Sequence, residues 1–448
     1  MTQARSSAIL LLCGLCATSA VLLQAQRGPG SQFNRFPFDK WATENAKPQI
    51  RWDVRFDSPV LSEHQRLVTR VHATVDGAEL QKRQGNGMMV VLVRIEDAAG
   101  LRFNTSNQTA ISQLHKGDKF QQLDYTISAF ILPGDYVVSL AICDAHTQEH
   151  SFLRRNLHIP TLRADPLPAL WAGLPSVEFL PETGNPEAWY LPQVRSRITL
   201  PIKTPQPTRF ELLVNTTPTE LASINMFRAD MQLLVPGLKV LTGIQPSSGS
   251  IGLSIVDLNR RMLTYQQPDL STVNWNPVPS RGGPFRGGQP RGDWLNLRPA
   301  FAELSSATID AKTLAGQRLM LDYFSAQATR LLAGPDSTSS PTAVRVLIVL
   351  SGPVFFTQQQ KPPPPDTAPD PARRVFYICY SPIATVVPSS SNASPPAPMQ
   401  RPLYPFTDDL ERILKPMGAR TFRVSRSDEF RKALAAILAE IAGMQPGR

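Results

Sequence analysis

The chain has 448 residues, among them 42 Pro, 26 Gly and 4 Cys, and its 46 Lys plus Arg against 36 Asp plus Glu give a formal net charge of +10. Hydrophobic residues at 42% and aromatics at 8% exclude a wholly disordered or collagenous chain, and the length allows two or three domains that each bury a core. Pro stands at nearly twice its usual share of about 5%; it belongs in linkers, insertions and strand edges, because it fits neither helix interiors nor central strands.

Arg5 and an apolar run at 8–23, followed by Gln24 and Ala25, have the parts of a secretory signal peptide over 1–25, cleaved near Ala25. The expectation is a secreted or periplasmic protein without an integral membrane span after cleavage. The run is broken by Gly14, Thr18 and Ser19 and is shorter than the roughly 20 residues a span needs. Cys143 and Cys379 lie in apolar, strand-like runs and read as buried thiols. Beyond the Cys13 and Cys16 of the apolar leader, no CxxC or zinc-type Cys/His spacing occurs.

Residues 26–47 show neither helical nor strand periodicity and read as a flexible leader. From 48 to 162 the pattern is one of short β-type runs: 51–57, 66–76, 88–97, 119–132, 135–144 and 150–160. Turn residues such as Asp76-Gly77 and Pro133-Gly134-Asp135 separate them. Strands at this spacing without helical segments predict an antiparallel β-sandwich of the immunoglobulin or fibronectin kind. Residues 163–207 hold nine prolines and read as a Pro-rich connector. The remainder, 208–448, changes character. It predicts a β-run at 209–215, a helix around 219–235, β-runs at 250–258 and 260–266, and an amphipathic helix from Lys312 to Leu332. Buried strands at 344–351 and 374–381 follow, then a helix near 406–415, a strand at 419–425 and a helix from Ser427 to Ile441 with Ser427 as its N-cap. Continuous apolar strands alternating with helices imply a doubly wound, mainly parallel sheet covered on both faces. The fold class is therefore mixed, a β-sandwich followed by an α/β domain.

Three Pro/Gly-rich insertions are expected in the α/β domain, at 277–293, 353–373 and 382–402. Thirteen of the 42 prolines fall between Pro353 and Pro402, so the last two insertions are expected to crown the carboxyl edge of the sheet, where open α/β folds bind ligands. The stretch 280–293, with two Arg-Gly-Gly repeats and one Arg-Gly-Asp, reads as a solvated loop, and nucleic acid is not an expected partner. His146-Thr147-Gln148-Glu149-His150 matches the zinc-peptidase spacing HxxEH. That chemistry needs a helix, whereas these residues join two β-runs and read as a hairpin turn. All six histidines precede residue 160, leaving the α/β domain none of its own as a general base. No nucleophile elbow, P-loop or dinucleotide fingerprint occurs, so no catalytic residue is assigned.

The order of a β-strand with a polar loop, an antiparallel edge hairpin, an amphipathic helix, the LIVLS strand at 347–351 and the ending GARTFRVSRSDEF at 418–430 resembles a von Willebrand factor type A domain. It is most similar to the VWFA-related type of acidobacterial genomes, in which a signal peptide and a β-rich segment precede the A-like domain. That resemblance implies a Rossmann-like fold and a metal-ion-dependent adhesion site whose first loop reads Asp-x-Ser-x-Ser. The matching positions here are Asn215, Thr217 and Thr219, and the Asp expected after the LIVLS strand is replaced by Gly352 and Pro353. Hard cations prefer carboxylate oxygens. The expectation is thus a degenerate site with no cofactor, in an exported, non-catalytic adhesion-type protein that binds another protein or a cell-envelope component. The positive charge favours anionic envelope polymers. The alternative is a metal-dependent module in which Asn215, Thr217 and Thr219 hold Mg²⁺, Ca²⁺ or Mn²⁺. The bland reading of the same three residues is turn and helix-capping chemistry.

Overall fold

The computed structural model describes residues 33–44, 47–83, 87–111, 122–180, 196–217, 234–272, 316–334, 344–354, 372–380 and 408–444. They fall into two compact units: 1–60, 67–163 and 175–182 make one, and 61–66, 164–174 and 183–448 the other. The described fold is mixed and β-rich, with antiparallel sheets in the first unit and a mainly parallel sheet in the second.

The first unit opens with a 3₁₀ turn at Phe33–Arg35 and helix α1 (Phe38–Thr43). Strands β1 (Trp52–Phe56), β2 (Val60–Leu61) and β3 (Leu67–Val75) follow, then helix α2 (Gly77–Gln81). After these come β4 (Met88–Asp97), β5 (Arg102–Ala110), β6 (Leu123–Ile131), β7 (Gly134–Asp144), β8 (His150–Ile159) and β9 (Val177–Phe179). One antiparallel sheet has the order β1-β3-β6-β9 with β2 beside β3, and the other has β5-β4-β7-β8. The hydroxyl of Tyr125 on β6 donates to the Met89 carbonyl on β4 at 3.2 Å, tying one sheet to the other.

Within the expected flexible leader over 26–47, the described residues 33–43 are ordered and packed; 26–32 and 45–46 lie outside the described residues. Phe33, Phe38 and Trp41 are buried against Val90, Leu92, Ala141 and Cys143. The outer face of β4 and β7 is therefore covered too, and β4 is buried on both faces, which is why it reads as a continuous apolar run. Arg94 lies over the rings of Phe33 and Phe38, 5.1 and 4.7 Å from their centroids, and pairs with Asp39. Two further elements depart from the sequence reading. Asp76 does not make a hairpin turn; its carboxylate caps α2, accepting from the Ala78 N–H at 3.0 Å. Residues 177–179, inside the expected connector, pair with β6.

In the second unit the strands are β10 (Leu200–Ile202), β11 (Thr208–Asn215), β12 (Ile244–Pro246), β13 (Gly249–Asp257), β14 (Met262–Gln267), β15 (Val344–Ser351), β16 (Arg373–Tyr380) and β17 (Arg420–Val424). The helices are α3 over 234–241, α4 (Gln317–Ala333), α5 (Asp409–Leu414) and α6 (Ser427–Ala442). β10 and β12 form a small parallel pair. The main sheet has the order β14-β13-β11-β15-β16-β17. All its neighbours are parallel except the β13–β14 hairpin at one edge. Gly249 begins β13 with φ +125, and a Cβ there would stand 1.9 Å from the Thr208 carbonyl oxygen, so only glycine fits this close approach.

Strand alternation divides the core. Phe210, Leu212 and Val214 of β11 point to the face covered by Leu234, Leu238 and Leu241 of α3 and by Phe430, Leu434 and Ile437 of α6. Leu213 points to the opposite face, where Phe324 and Ala328 of α4 and Leu410 and Ile413 of α5 pack. Helices thus cover both faces, as strands without polar alternation require.

Part of the helical expectation, at 219–233 and 312–315, lies outside the described residues, as do most of the three insertions; residues 353 and 354 follow β15, and Arg373 already belongs to β16. The N-cap of α6 is Arg426, not Ser427, which is the first helical residue. Its hydroxyl donates to Glu63 Oε1 at 2.8 Å instead of turning back to its own helix. Among the described residues no helix is long and apolar enough to cross a membrane.

Candidate functional site at the carboxyl edge of the parallel sheet

Counted from β11 in chain order, the main sheet runs third, second, first, fourth, fifth, sixth. The order reverses between β11 and β15, and the carboxyl ends of two strands that diverge in this way frame a crevice where such sheets hold ligands. Asn215 ends β11 and Ser351 ends β15, and both side chains are buried.

Every described hydroxyl and amide in this crevice is engaged by the chain itself. Asn215 Nδ2 donates to Ser351 Oγ at 2.9 Å, and Ser351 Oγ donates to the Gly352 carbonyl at 2.6 Å. Asn215 Oδ1 accepts from the Thr217 N–H at 3.1 Å, a side-chain-closed turn that carries the chain off the strand. Thr216 Oγ1 donates to the Val256 carbonyl at 3.2 Å. Thr217 Oγ1 accepts from the Leu258 N–H at 2.7 Å, so it fastens the loop after β11 to the end of β13. Of the three residues expected in the first adhesion loop, Asn215 and Thr217 are brought together; Thr219 lies outside the described residues.

This donor set does not suit a hard cation. Asn215 presents its amide nitrogen to Ser351, the Thr217 oxygen takes a backbone N–H, and no carboxylate belongs to the network. Among the described residues no group of three or more His, Cys, Asp and Glu side chains is placed to hold a metal.

Two carboxylates that the sequence reading passed over do lie near this edge. Asp257 ends β13 and receives the Arg260 N–H at 3.2 Å, with Arg260 Nε 3.7 Å from its other oxygen. Asp408, the N-cap of α5, is buried. Its Oδ1 accepts from the N–H groups of Val354 and Leu410, both at 3.1 Å. Its Oδ2 accepts from the Tyr377 hydroxyl and, at 3.6 Å, from Cys379 Sγ. Burial raises the Asp408 carboxyl above its ordinary range despite these donors, which favour the charged form. Burial, reinforced by the neighbouring Asp408, drives the Tyr377 hydroxyl well up and raises the Cys379 thiol. These groups are poorly placed to act as bases or nucleophiles at neutral pH. Thr407-Asp408-Asp409 before an apolar turn is a helix-start signal, the one feature by which sequence reading could have found Asp408.

The remaining histidine-bearing features are structural. Residues 146–150 turn between β7 and β8, with Gln148 at φ +60. Glu149 receives Arg83 Nη2 at 2.6 Å, and His150 stacks on Trp41 with ring centroids 4.3 Å apart. His64 belongs to the second compact unit, which therefore does contain a histidine. Burial and the charges of Lys239 and Arg66 depress it to about 3, so it stays neutral and cannot take up a proton near pH 7. Both Cys143 and Cys379 are free and buried.

No protein-family model and no curated protein matches the chain. Among solved structures it is similar to two crystal structures of a glycosyl hydrolase family 2 member from Bacteroides cellulosilyticus, one of strain DSM 14838 and one from microfluidic crystals. Identity is 8% in both, with TM-scores of 0.18 and 0.19, over 83% and 82% of this chain and 38% and 37% of theirs. The chain spans well under half the length of those enzymes, and at such TM-scores the likeness carries no argument about fold or chemistry.

Proposed function

We propose that this is an exported, non-catalytic binding protein in which an immunoglobulin- or fibronectin-like sandwich precedes a divergent, Rossmann-like von Willebrand factor type A domain. Its adhesion edge works without a metal, and its partner is a protein or an envelope component. The observation that carries the reading is the hydrogen bond from Asn215 Nδ2 to Ser351 Oγ, at 2.9 Å across the point where the strand order reverses. With Thr217 spent on the Leu258 N–H, the loop holds itself in shape by the bonds that a cation would otherwise supply. The antiparallel edge hairpin and the parallel β15–β16 neighbours agree with the arrangement the resemblance implies.

Thermal melting with and without millimolar Mg²⁺, Ca²⁺ or Mn²⁺ tests this directly, because a ligand of the native state raises the melting temperature by mass action. The expected result is no metal-linked shift, and partner capture from envelope extract that a chelator leaves unchanged. Thr217→Ala should cost about 1 kcal/mol through the lost acceptor for Leu258 without creating a metal response. A clear upward shift with Mg²⁺ that Thr217→Ala abolishes would overturn the metal-free reading in favour of a metal-dependent adhesion site.

A further inference from the structure

Edge strands leave a row of backbone donors and acceptors unanswered, and proteins normally blunt them with charge, bulges or brevity. Most edges here are blunted. β9 has three residues. β14 pairs through a register shift at Ile255/Val256. β1 and β17, five residues each, carry Asp53 with Arg55 and Arg420 with Arg423. β8 carries Arg154, Arg155 and His158, and its first carbonyl accepts from the Gln49 N–H at 3.2 Å.

β5 is the exception. It has nine residues and pairs with β4 in unbroken register from Glu96↔Arg102 to Met88↔Ala110. From Phe103 to Ala110 it contains no charge, no Pro and no Gly. β9 and the 3₁₀ turn at Phe33–Arg35 pack near β5, but among the described residues its backbone hydrogen bonds are those of the β4 ladder alone, and nothing in its own sequence discourages another strand.

We propose that β5 is a self-association edge, on which a second copy of this chain adds its own β5 antiparallel about a two-fold axis at Ser106. The charge pattern selects this occupant. Read against its own inverse, β5 sets Asn104 opposite Gln108, Thr105 opposite Asn107 and Ser106 opposite itself, pairs of amides and hydroxyls that each donate and accept. Arg102 falls opposite Ala110, away from its own copy, and keeps Glu96 at 3.0 Å. The same operation on β8 would bring Arg154 and Arg155 of two copies together, which like-charge repulsion opposes. A two-fold pairing of this kind is closed, since each β5 is consumed by the other.

Sedimentation of the full chain over a concentration series tests the proposal, with Ser106→Lys combined with Gln108→Lys as the variant. Both side chains belong to a strand edge, and the Ser106→Lys change places like charges from the two copies opposite each other across the axis. The expected result is a reversible dimer that the double variant weakens roughly tenfold, with circular dichroism unchanged and the melting temperature unchanged at dilutions where both proteins are monomeric. Hydrogen exchange on the unaltered protein gives an independent readout: β5 amides gain protection as concentration rises. A monomer at every soluble concentration overturns the proposal. So does a dimer that the double variant leaves intact, or one whose β5 amides exchange at the same rate as in the monomer.

Discussion

The two faces of the parallel sheet each hold an aspartate near the start of a helix, Asp165 half-buried and Asp408 buried, and the two are held in opposite ways. On the α6 face, Asp165 receives Arg431 through two bonds of 2.6 Å. Arg431 also donates to the Leu167 carbonyl at 3.0 Å and lies 4.7 Å from the centroid of the Trp171 ring. On the α5 face, Asp408 has four donors, none of them a cation. Burial raises both carboxyls, yet at Asp165 the bonds from Arg431 and Leu167 prevail and the group titrates below its ordinary value, whereas at Asp408 burial prevails. The carboxyl is thus held below its ordinary range in one place and above it in the other. Two things decide: a guanidinium lies against Asp165, and Asp408 is the more deeply buried of the two.

The sharpest way to break this comparison is to remove the counter-charge. Arg431→Ala leaves the half-buried Asp165 without it and should lower unfolding free energy by about 2–3 kcal/mol in denaturant titrations; a loss no greater than that of an exposed pair would show that the bidentate contact is not what holds the residues at 164–174 to α6. Asp408→Ala removes the α5 cap and leaves the Val354 N–H without its acceptor, for a loss of about 2 kcal/mol. Asp408→Asn, which keeps an acceptor for those N–H groups, should lose less.

The smallest effect is in the pH dependence, and its sign separates the two sites. Because Asp165 is depressed in the folded state, its contribution is present above 3.8 and is lost as pH falls through the lower folded value. Asp408 is raised, so its contribution is full below 3.8 and declines as pH climbs through the raised value. Stability curves of Asp408→Asn should therefore lack a decline that the unaltered protein shows above pH 3.8. Superimposable curves would mean that Asp408 titrates normally.

Much of the parallel sheet was legible, because runs such as VRVLIVLS and VFYICY are buried on both faces and hide nothing. β5 was not. RFNTSNQTA has a single large apolar residue, and its strand character comes from the ladder to β4 rather than from its own pattern. The aromatic segment at 33–43 was missed because one short helix cannot display a period. Its burial is instead imposed by the exposed apolar face of β4 and β7 that it covers. At the candidate site, Asn215 and Thr217 were marked by the resemblance, as the positions that match its first loop. Ser351 and Asp408 were not, since they meet their partners across 136 and 54 residues of chain and no local signal reports such a meeting.

The bond from the Val354 N–H to Asp408 Oδ1 also has a bearing on how this chain can change. It pins the residue where the chain departs β15 to the residue where it arrives at α5, so that the connection between them, β16 included, starts and ends on one fixed post. For a connection anchored at both ends, doubling its length costs only about 0.6 kcal/mol of closure entropy. The two junctions are places where new sequence can be accepted, trimmed or exchanged at little cost to the sheet beneath, which makes them natural points for grafting a binding segment onto this protein.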